Sequence, residues 1–207
     1  MADGRQVDER GAGEVSAPAR RMRRADRREQ LLAAATRAFA RTGFAATSLD
    51  DVVAEAGVSR VILYRHFESK ADMYRAVLER VCGRLEEAVG SGDYDEGTIP
   101  DLLRAARADP DGFRLLFRYA AGEPEFREFT SRLGGAATEI AHRHLAESIP
   151  DARWAAWASH LVPTVAIEAV IAWLDAGQPG DEAAAERIGQ AIQGVIDAAR
   201  LPDTPER

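Results

Sequence analysis

The sequence predicts an all-α protein in which a small N-terminal helix-turn-helix domain is followed by a larger helical bundle. Apolar residues recur at spacings of three and four along most of the chain, which is the period of an amphipathic helix. Segments containing Gly or Pro interrupt that pattern, and no stretch shows the alternation of a convincing β-strand. Hydrophobic residues make up 46% of the chain, which is enough to fill a core.

The first predicted helix follows a basic tail. Residues 1–22 lack a periodic apolar pattern and are expected to be disordered. Arg20–Arg28 form a basic lead-in to the first helix, which is either a solvated tail or an arm that reaches DNA phosphates or the minor groove. The apolar spacing then predicts a helix from Arg27 to Arg41, and Gly43 supplies the left-handed residue that ends it. We assign the helix-turn-helix domain to residues 23–70.

Two short helices joined by a tight turn are predicted next. Thr47 or Ser48 is expected to cap the second helix, whose first turn is acidic. Gly57 permits the turn, and Ser59 is expected to cap a third helix that runs to Phe67. This arrangement is the common device for placing a helix in the major groove of DNA.

The remaining chain is predicted to be a helical bundle over residues 71–200, with a short tail at 201–207. Its breaks fall at Gly- and Pro-containing segments. They divide the bundle into helices near 71–89, 99–108, 111–121, 124–149, 151–176 and 181–200.

Charge is divided unevenly between the two parts. The net charge is −7, but residues 1–80 contribute +3 and residues 81–207 contribute −10. Arginines are concentrated in residues 20–41. Because local charge meets the phosphates, the basic N-terminal part is compatible with nucleic-acid binding, and the acidic remainder would help to orient the molecule on DNA.

Several function classes find no support in the sequence. The single cysteine, Cys82, excludes an internal disulfide framework. No apolar run approaches the ~20 residues of a bilayer span, so we expect no membrane partner and a cytoplasmic location. No phosphate-binding loop, nucleophile elbow or metalloprotease motif is present, so neither an enzyme nor a cofactor is predicted. The histidine spacing does not predict a metal site.

The third helix carries the strongest functional pattern. Leu63 and Phe67 lie four residues apart and should be buried, which turns the other side chains outward. Arginine can pair with guanine, apolar groups can touch the thymine methyl, and tyrosine and histidine commonly reach phosphates or sugars. Lys70 suits a phosphate contact, and a solvated charge is the alternative. The predicted DNA-binding residues are Thr47, Ser48, Ser59, Arg60, Val61, Ile62, Tyr64, Arg65, His66 and Lys70.

Residues 44–78 and the helix before them resemble the DNA-binding domain of the TetR family of transcriptional regulators. The resemblance covers roughly the first 80 residues. It implies a two-fold homodimer on a palindromic operator and a small molecule that binds the C-terminal domain and releases the DNA. The matching residues are Gly43–Phe44, Thr47–Ser48, Val52–Val53–Ala54, Gly57–Val58–Ser59, Leu63–Tyr64–Arg65–His66–Phe67 and Ser69–Lys70.

Two positions of the third helix depart from that family's pattern. Members commonly carry a small residue at the position of Val61 and Ser or Thr at that of Ile62, whereas both are bulky and β-branched here. We expect these side chains to contact thymine methyl groups. The alternative is that Ile62 turns inward and packs beside Leu63.

The last two helices are expected to form the dimer interface. The helix at 151–176 is apolar on most sides, and the one at 181–200 has an apolar stripe too wide for a lone surface helix. The resemblance implies that such helices form a four-helix bundle between subunits. A large intramolecular core is the alternative.

An apolar or aromatic small molecule is expected to bind among the C-terminal helices. The candidate contacts are Phe113, Phe117, His144, Trp157 and His160, although aromatic residues at helical spacing are more often plain core. The predicted function is a ligand-responsive repressor that a small molecule releases from its operator. The alternative is a DNA-binding regulator or architectural protein without a ligand, which a filled C-terminal core would favour.

Overall fold

The computed structural model describes residues 24–90 and 94–202, so most of both predicted tails lies outside the described residues. The described chain contains helices and connecting turns but no strand, which confirms the all-α prediction. Its helices are α1 (Arg24–Ala46), α2 (Leu49–Ala56), α3 (Arg60–Tyr64), α4 (Lys70–Val89), α5 (Thr98–Ala108), α6 (Pro110–Arg114), α7 (Arg127–Leu145), α8 (Ala152–Asp175) and α9 (Asp181–Ala199).

The ends of α1 and α3 show how local geometry modifies the predicted helices. α1 extends to Ala46, but Gly43 inside it has φ 78° and ψ 169°, so the helix is broken at the predicted glycine. α3 stops three residues before the predicted Phe67. The amides of His66 (2.9 Å) and Phe67 (3.1 Å) both donate to the Leu63 carbonyl, which tightens the last turn.

The segment between α6 and α7 is less regular than predicted. Residues 111–121 do not form one α-helix, and α7 begins at Arg127 rather than near residue 124. The changes of pitch along this segment bury Leu115, Leu116, Ala120 and Phe126 in one core. The intervening turns are a π-helical turn at Leu115–Tyr119 and 3-10 turns at Ala120–Gly122 and Pro124–Phe126.

Two main cores organise the chain. The first joins α1, α2, α3 and α4 to the 115–126 segment, so it continues across the domain boundary predicted at residue 70. The second joins α5, α6, α8 and α9. The helix-turn-helix part and the C-terminal part therefore share packed side chains.

By length and composition alone, α8 is long and apolar enough to cross a membrane. The expectation that no segment approaches a bilayer span was therefore too simple. In the fold α8 is a partly buried core helix: Ala155 and Ala158 pack with Leu145 of α7, and Val170 and Ile171 belong to the second core.

A polar joint holds α1, α4 and α6 together. The Arg80 guanidinium donates to Glu29 (2.8 Å), to the Thr36 hydroxyl (3.2 Å) and to Asp109 (3.5 Å). Asp109 also accepts a hydrogen bond from the Gly112 amide (2.9 Å), which caps α6. The joint fixes the C-terminal part against the first helix.

Candidate DNA-binding surface and ligand cavity

Local hydrogen bonds fix the start of α2 and the turn between α2 and α3. The Asp51 amide donates to the Ser48 hydroxyl (3.2 Å) and the Ser48 amide donates to the Asp51 carboxylate (2.7 Å), which forms a capping box. The Ser48 hydroxyl, and then its amide, lower the pKa of the Asp51 carboxyl. Gly57 is left-handed, with φ 63°, and its amide donates to the Ala54 carbonyl (3.3 Å). α3 consequently leaves α2 in a defined direction.

α3 has one buried face and one exposed face. Leu63 is 0% exposed and Phe67 only 2%, so both anchor the helix as predicted. Val61 is 62% exposed and Tyr64 56%, on the outer side. Ile62 is partly buried and packs against the first core. Ile62 therefore turns inward, as in the alternative interpretation, whereas the apolar side chain of Val61 faces outward.

The two arginines of this surface differ in their partners. Arg60 forms an ion pair with Asp50 of α2, and both side chains remain more than half exposed. The Arg65 guanidinium is exposed at the end of α3 and makes no ion pair or hydrogen bond within residues 24–90 and 94–202. Arg65 can therefore approach DNA directly, whereas Arg60 must first leave Asp50.

The three hydroxyl residues predicted to contact DNA occupy different environments. Thr47 is 2% exposed, and its hydroxyl lies 2.6 Å from the Gly43 carbonyl and 2.7 Å from the Thr42 hydroxyl. The hydroxyl closes the end of α1 and does not face outward, so a contact of Thr47 with DNA stays a prediction. The Ser48 hydroxyl belongs to the α2 cap. Ser59 is exposed, but its side chain makes no capping bond to α3, contrary to expectation.

Lys70 connects α4 to the end of α1. Its ammonium donates to the carbonyls of Phe44 (2.8 Å) and Ala45 (3.1 Å) and lies 4.6 Å from the centre of the Phe44 ring. The Lys70 ammonium is therefore not simply a solvated charge. It could bind a phosphate only by giving up these contacts. The structure thus shows a structural role that neither sequence interpretation anticipated.

His66 lies beside the basic start of α1. Burial lowers the pKa of His66, and the positive charges of Arg24, Arg28 and Arg27 lower it further. The Arg28 guanidinium is 5.2 Å from the centre of the Phe67 ring. The described part of the basic lead-in is thus brought to the end of α3, next to His66.

A cavity of about 670 Å³ lies in the C-terminal part. Its wall is assembled from the end of α4, the loop before α5, α5 itself, α7, α8 and α9. Most lining side chains are apolar, among them Leu85, Phe117, Leu133, Ile140, Val162 and Ile192. Such a cavity suits a small molecule with a large apolar part.

Two of the predicted ligand contacts lie near this cavity. Phe117 lines it. His144 lies outside the wall: its Nε2 accepts a hydrogen bond from the Tyr94 amide (3.3 Å), and the two rings stack with centres 6.4 Å apart. Tyr94 itself lines the cavity, so His144 orients the loop that bears it. This loop had no pattern that singled it out in the sequence.

The other three predicted ligand contacts do not line this cavity, and their role in ligand binding stays a prediction. Phe113 is 3% exposed in the second core, behind Phe117. Trp157 is 41% exposed and forms an edge-to-face pair with Trp154 on the outside of α8. His160 borders a separate hollow between α7 and α8. Helical periodicity identified apolar positions, but it could not tell a cavity wall from a core or an outer face.

An aromatic cluster links the cavity wall to the DNA-facing helices. Phe126, 1% exposed, directly precedes α7, which lines the cavity through Leu133. The Phe126 ring packs edge-to-face on Phe44 at 5.2 Å and lies 4.5 Å from Tyr74. A displacement of α7 would therefore shift Phe126 and, through its ring contacts, Phe44 at the end of α1 and Tyr74 of α4.

Comparison with known proteins identifies the N-terminal domain. Residues 31–77 match the family model described as bacterial regulatory proteins, tetR family. The chain is 37% identical over 105 residues to the HTH-type transcriptional activator FasR of Mycolicibacterium smegmatis. That match covers 47% of this chain and 48% of the relative, so the chain spans about half the length of this relative.

Solved structures extend the likeness to the whole fold. A TetR-like transcriptional regulator from Rhodococcus sp. RHA1 superposes with a TM-score of 0.72 at 22% identity, over 84% of this chain and 97% of the other. FadR of Bacillus subtilis, solved in complex with stearoyl-CoA, superposes with a TM-score of 0.62 at 16% identity, over 84% of this chain and 99% of the other. At these identities the similarity establishes the fold alone.

Proposed function

Because the chain belongs to the tetR family of bacterial regulatory proteins, we propose that it is a cytoplasmic transcriptional regulator that binds a palindromic operator as a homodimer. The observation that carries this proposal is the capped turn that presents Val61, Tyr64 and Arg65 outward beside a basic cluster. α3 would enter the major groove, with arginine available to read guanine and the neighbouring cations placed near phosphates.

The outer faces of α8 and α9 support the homodimer. On α9 the exposed Ala191, Gly194 and Ala198 recur at helical spacing, and such small side chains allow a second helix to approach closely. On α8 the exposed Trp157 supplies a large apolar surface on the same helix face as the exposed Thr164, about two turns further along. A second copy of this chain would cover both faces by two-fold symmetry.

Ligand control is supported by the cavity and by its connection to α1 and α4. A filled C-terminal core would favour a regulator or architectural protein without a ligand, and the open space of about 670 Å³ counts against that alternative. FadR, which shares this fold, was solved with stearoyl-CoA bound. In the present chain, α7 and Phe126 supply the physical connection between a cavity ligand and the DNA-facing helices.

The direction of regulation has two candidates. Repression with release by a small molecule is the function inferred from the family resemblance. Activation is favoured by FasR, the relative that shares 37% identity over 105 residues and is named an activator. The position of the operator relative to the promoter decides between them, since a repressor's site overlaps the promoter and an activator's site lies upstream.

DNA binding can be tested on duplexes selected from a random pool by the purified protein. We expect an enriched palindrome bound by two chains, with an affinity that falls steeply with salt because phosphates are neutralised. Light scattering of the free and DNA-bound protein gives the stoichiometry, and anisotropy of a labelled duplex gives the affinity. One chain bound to a half-site as tightly as to the full palindrome would contradict the dimer proposal.

Ligand control can be tested by screening small molecules for release of that labelled duplex. A true cavity ligand must lose its effect in Ala137→Trp, which fills the cavity, because Ala137 lines its wall. By linkage, operator DNA must weaken binding of the same ligand by the same factor. Release that persists unchanged in the filled variant would place the effector outside the cavity.

A further inference from the structure

The charged side chains around the cavity all have the same sign. The lining side chains that carry charge are Glu86, Asp95, Glu96 and Glu186, and no described lining residue is Lys, Arg or His. Glu86 comes from α4 and Glu186 from α9, so helices far apart in sequence bring negative charge to one apolar space.

The hydrogen-bond donors to these carboxylates are neutral groups. Glu86 accepts a weak hydrogen bond from the Cys82 thiol (3.6 Å), and Glu186 accepts one from the Gln190 side-chain amide (3.4 Å). Asp95 accepts from the amide of Gly97 (2.8 Å) within its own turn. Within residues 24–90 and 94–202, none of these carboxylates forms an ion pair. No ion pair within the described residues therefore compensates their negative charge.

The positions of the two glutamates suit a ligand with a charged end. Both are exposed, so they lie where the cavity opens to solvent, while the interior wall is aliphatic. Tyr94 and Phe117 also line the cavity, and the faces of aromatic rings attract cations. An anionic ligand would meet repulsion at this rim, whereas a cation would be attracted by carboxylates and rings together.

We infer that the physiological effector is an amphipathic cation or a neutral apolar molecule, with hydrophobic cations preferred and anionic amphiphiles excluded. This inference rests on the proposed function, because it assumes that the cavity is the ligand site. Its specific content is that Glu86 and Glu186 select the charge of the ligand, while the aliphatic wall supplies most of the binding free energy.

The test uses two probes of the same shape and opposite charge, tetraphenylphosphonium and tetraphenylborate, with the neutral dye Nile red as a third probe. Binding of each to the purified full-length protein is measured by calorimetry or, for the dye, by fluorescence. We expect the phosphonium to bind at least about tenfold more tightly than the borate at low salt, because each nearby carboxylate favours the cation. Raised salt should reduce that preference.

Conservative substitutions test whether the carboxylates of Glu86 and Glu186 cause the preference for the phosphonium. Glu86→Gln with Glu186→Gln should reduce the ratio of the two affinities about tenfold and leave Nile red binding unchanged. Glu147→Gln is the matched control, since Glu147 is exposed and does not line the cavity. Ala137→Trp should abolish binding of all three probes, and thermal unfolding checks that each variant is folded.

The outcomes separate this inference from the proposed function. If Nile red binds in the cavity but the borate binds as tightly as the phosphonium, the charge inference fails and the ligand cavity stands. A phosphonium preference that survives the double Glu→Gln change also overturns the role of the rim. If none of the three probes binds, or if binding survives Ala137→Trp, both the charge inference and the assignment of this cavity as the ligand site fail. Control by a ligand bound elsewhere is tested separately, by release of the labelled duplex.

Discussion

The candidate DNA contacts come mainly from residues 59–66, whereas the cavity wall draws on α4, α5, α7, α8 and α9. On the DNA-facing surface each side chain has its own role, since Val61 and Arg65 point outward and Leu63 anchors the helix. In the cavity many apolar side chains contribute small, interchangeable amounts to the wall. Single substitutions should therefore act strongly on the first region, and on the second only when they fill space or change charge.

The strongest way to break this comparison is to disturb the joint that the two regions share. A Cβ at Gly112 would lie 2.7 Å from the Asp109 side chain and 2.8 Å from Val81, so Gly112→Ala should destabilise the protein by about 1–3 kcal/mol. Both regions should unfold together, because the first core spans them. Denaturant unfolding followed by far-UV circular dichroism measures the effect.

Gly134→Ala is the control for this change. A Cβ there meets nothing within 4 Å, so the same substitution within α7 should be neutral or stabilise by up to about 1 kcal/mol. Equal changes in the free energy of unfolding at the two glycines would mean that Asp109 and Val81 can move to accommodate a methyl group at position 112.

The next effect separates the two arginines of the DNA-facing surface. Arg65→Ala should weaken specific binding by about 1–3 kcal/mol and relax the sequence preference if Arg65 reads a base. Arg60→Ala should cost less, because Arg60 gives up its ion pair with Asp50 on binding. Anisotropy of operator and scrambled duplexes distinguishes these cases: a uniform loss on all sequences would mark a phosphate contact instead.

Asp50→Asn sharpens the same comparison. It frees Arg60 without removing it, so binding should become tighter and the cost of Arg60→Ala should increase in that background. If Arg60→Ala costs the same binding free energy with and without Asp50→Asn, the ion pair does not compete with DNA.

A smaller effect tests the structural role of Thr47 at the end of α1. Thr47→Val removes a buried hydroxyl that bonds the Gly43 carbonyl, so it should lower the free energy of unfolding by about 1–2 kcal/mol. Affinity of the folded protein for the operator should not change. Ser59→Ala, at an exposed hydroxyl without a capping bond, should leave stability within about 0.5 kcal/mol. If Thr47→Val instead lowers the affinity for the operator and leaves the free energy of unfolding unchanged, Thr47 contacts DNA.

The smallest expected effect concerns His66. Its folded pKa lies below the ordinary value of 6.5, so the unfolded chain binds more protons between these two pKa values. Stability should therefore be full above about pH 6.5 and decline as the pH falls through that window. His66→Gln should remove this part of the pH dependence, as measured by thermal unfolding from about pH 7.5 to about pH 5. An identical profile in the variant would rule out His66 as its source.

The DNA-facing region could be predicted from the sequence far better than the cavity, and the reason is physical. Gly57, Leu63 and Phe67 act within a few residues of one another, so spacing alone indicated the turn and the buried face of α3. Where long-range packing decided, the sequence prediction was incomplete. The hydroxyl of Thr47 is buried against α1, and Ile62 turns toward a core formed by four helices.

The cavity residues could not be predicted in the same way. Phe113 and Phe117 lie one helical turn apart, yet one is core and the other wall, because the irregular 115–126 segment changes the pitch between them. Glu86 and Glu186 are a hundred positions apart and line the same cavity only in the folded chain. Neither helical period nor local charge contains that information.

Lys70 is the only lysine in the chain, and this has a chemical consequence. Acyl transfer to a lysine amine could act at one residue only, and there it would neutralise the ammonium that binds the Phe44 and Ala45 carbonyls. A single acetyl group would thus loosen the end of α1 from α4, close to the DNA-facing helices. The same property makes Lys70 a unique lysine target for amine-directed labelling, which would report directly on whether this contact opens.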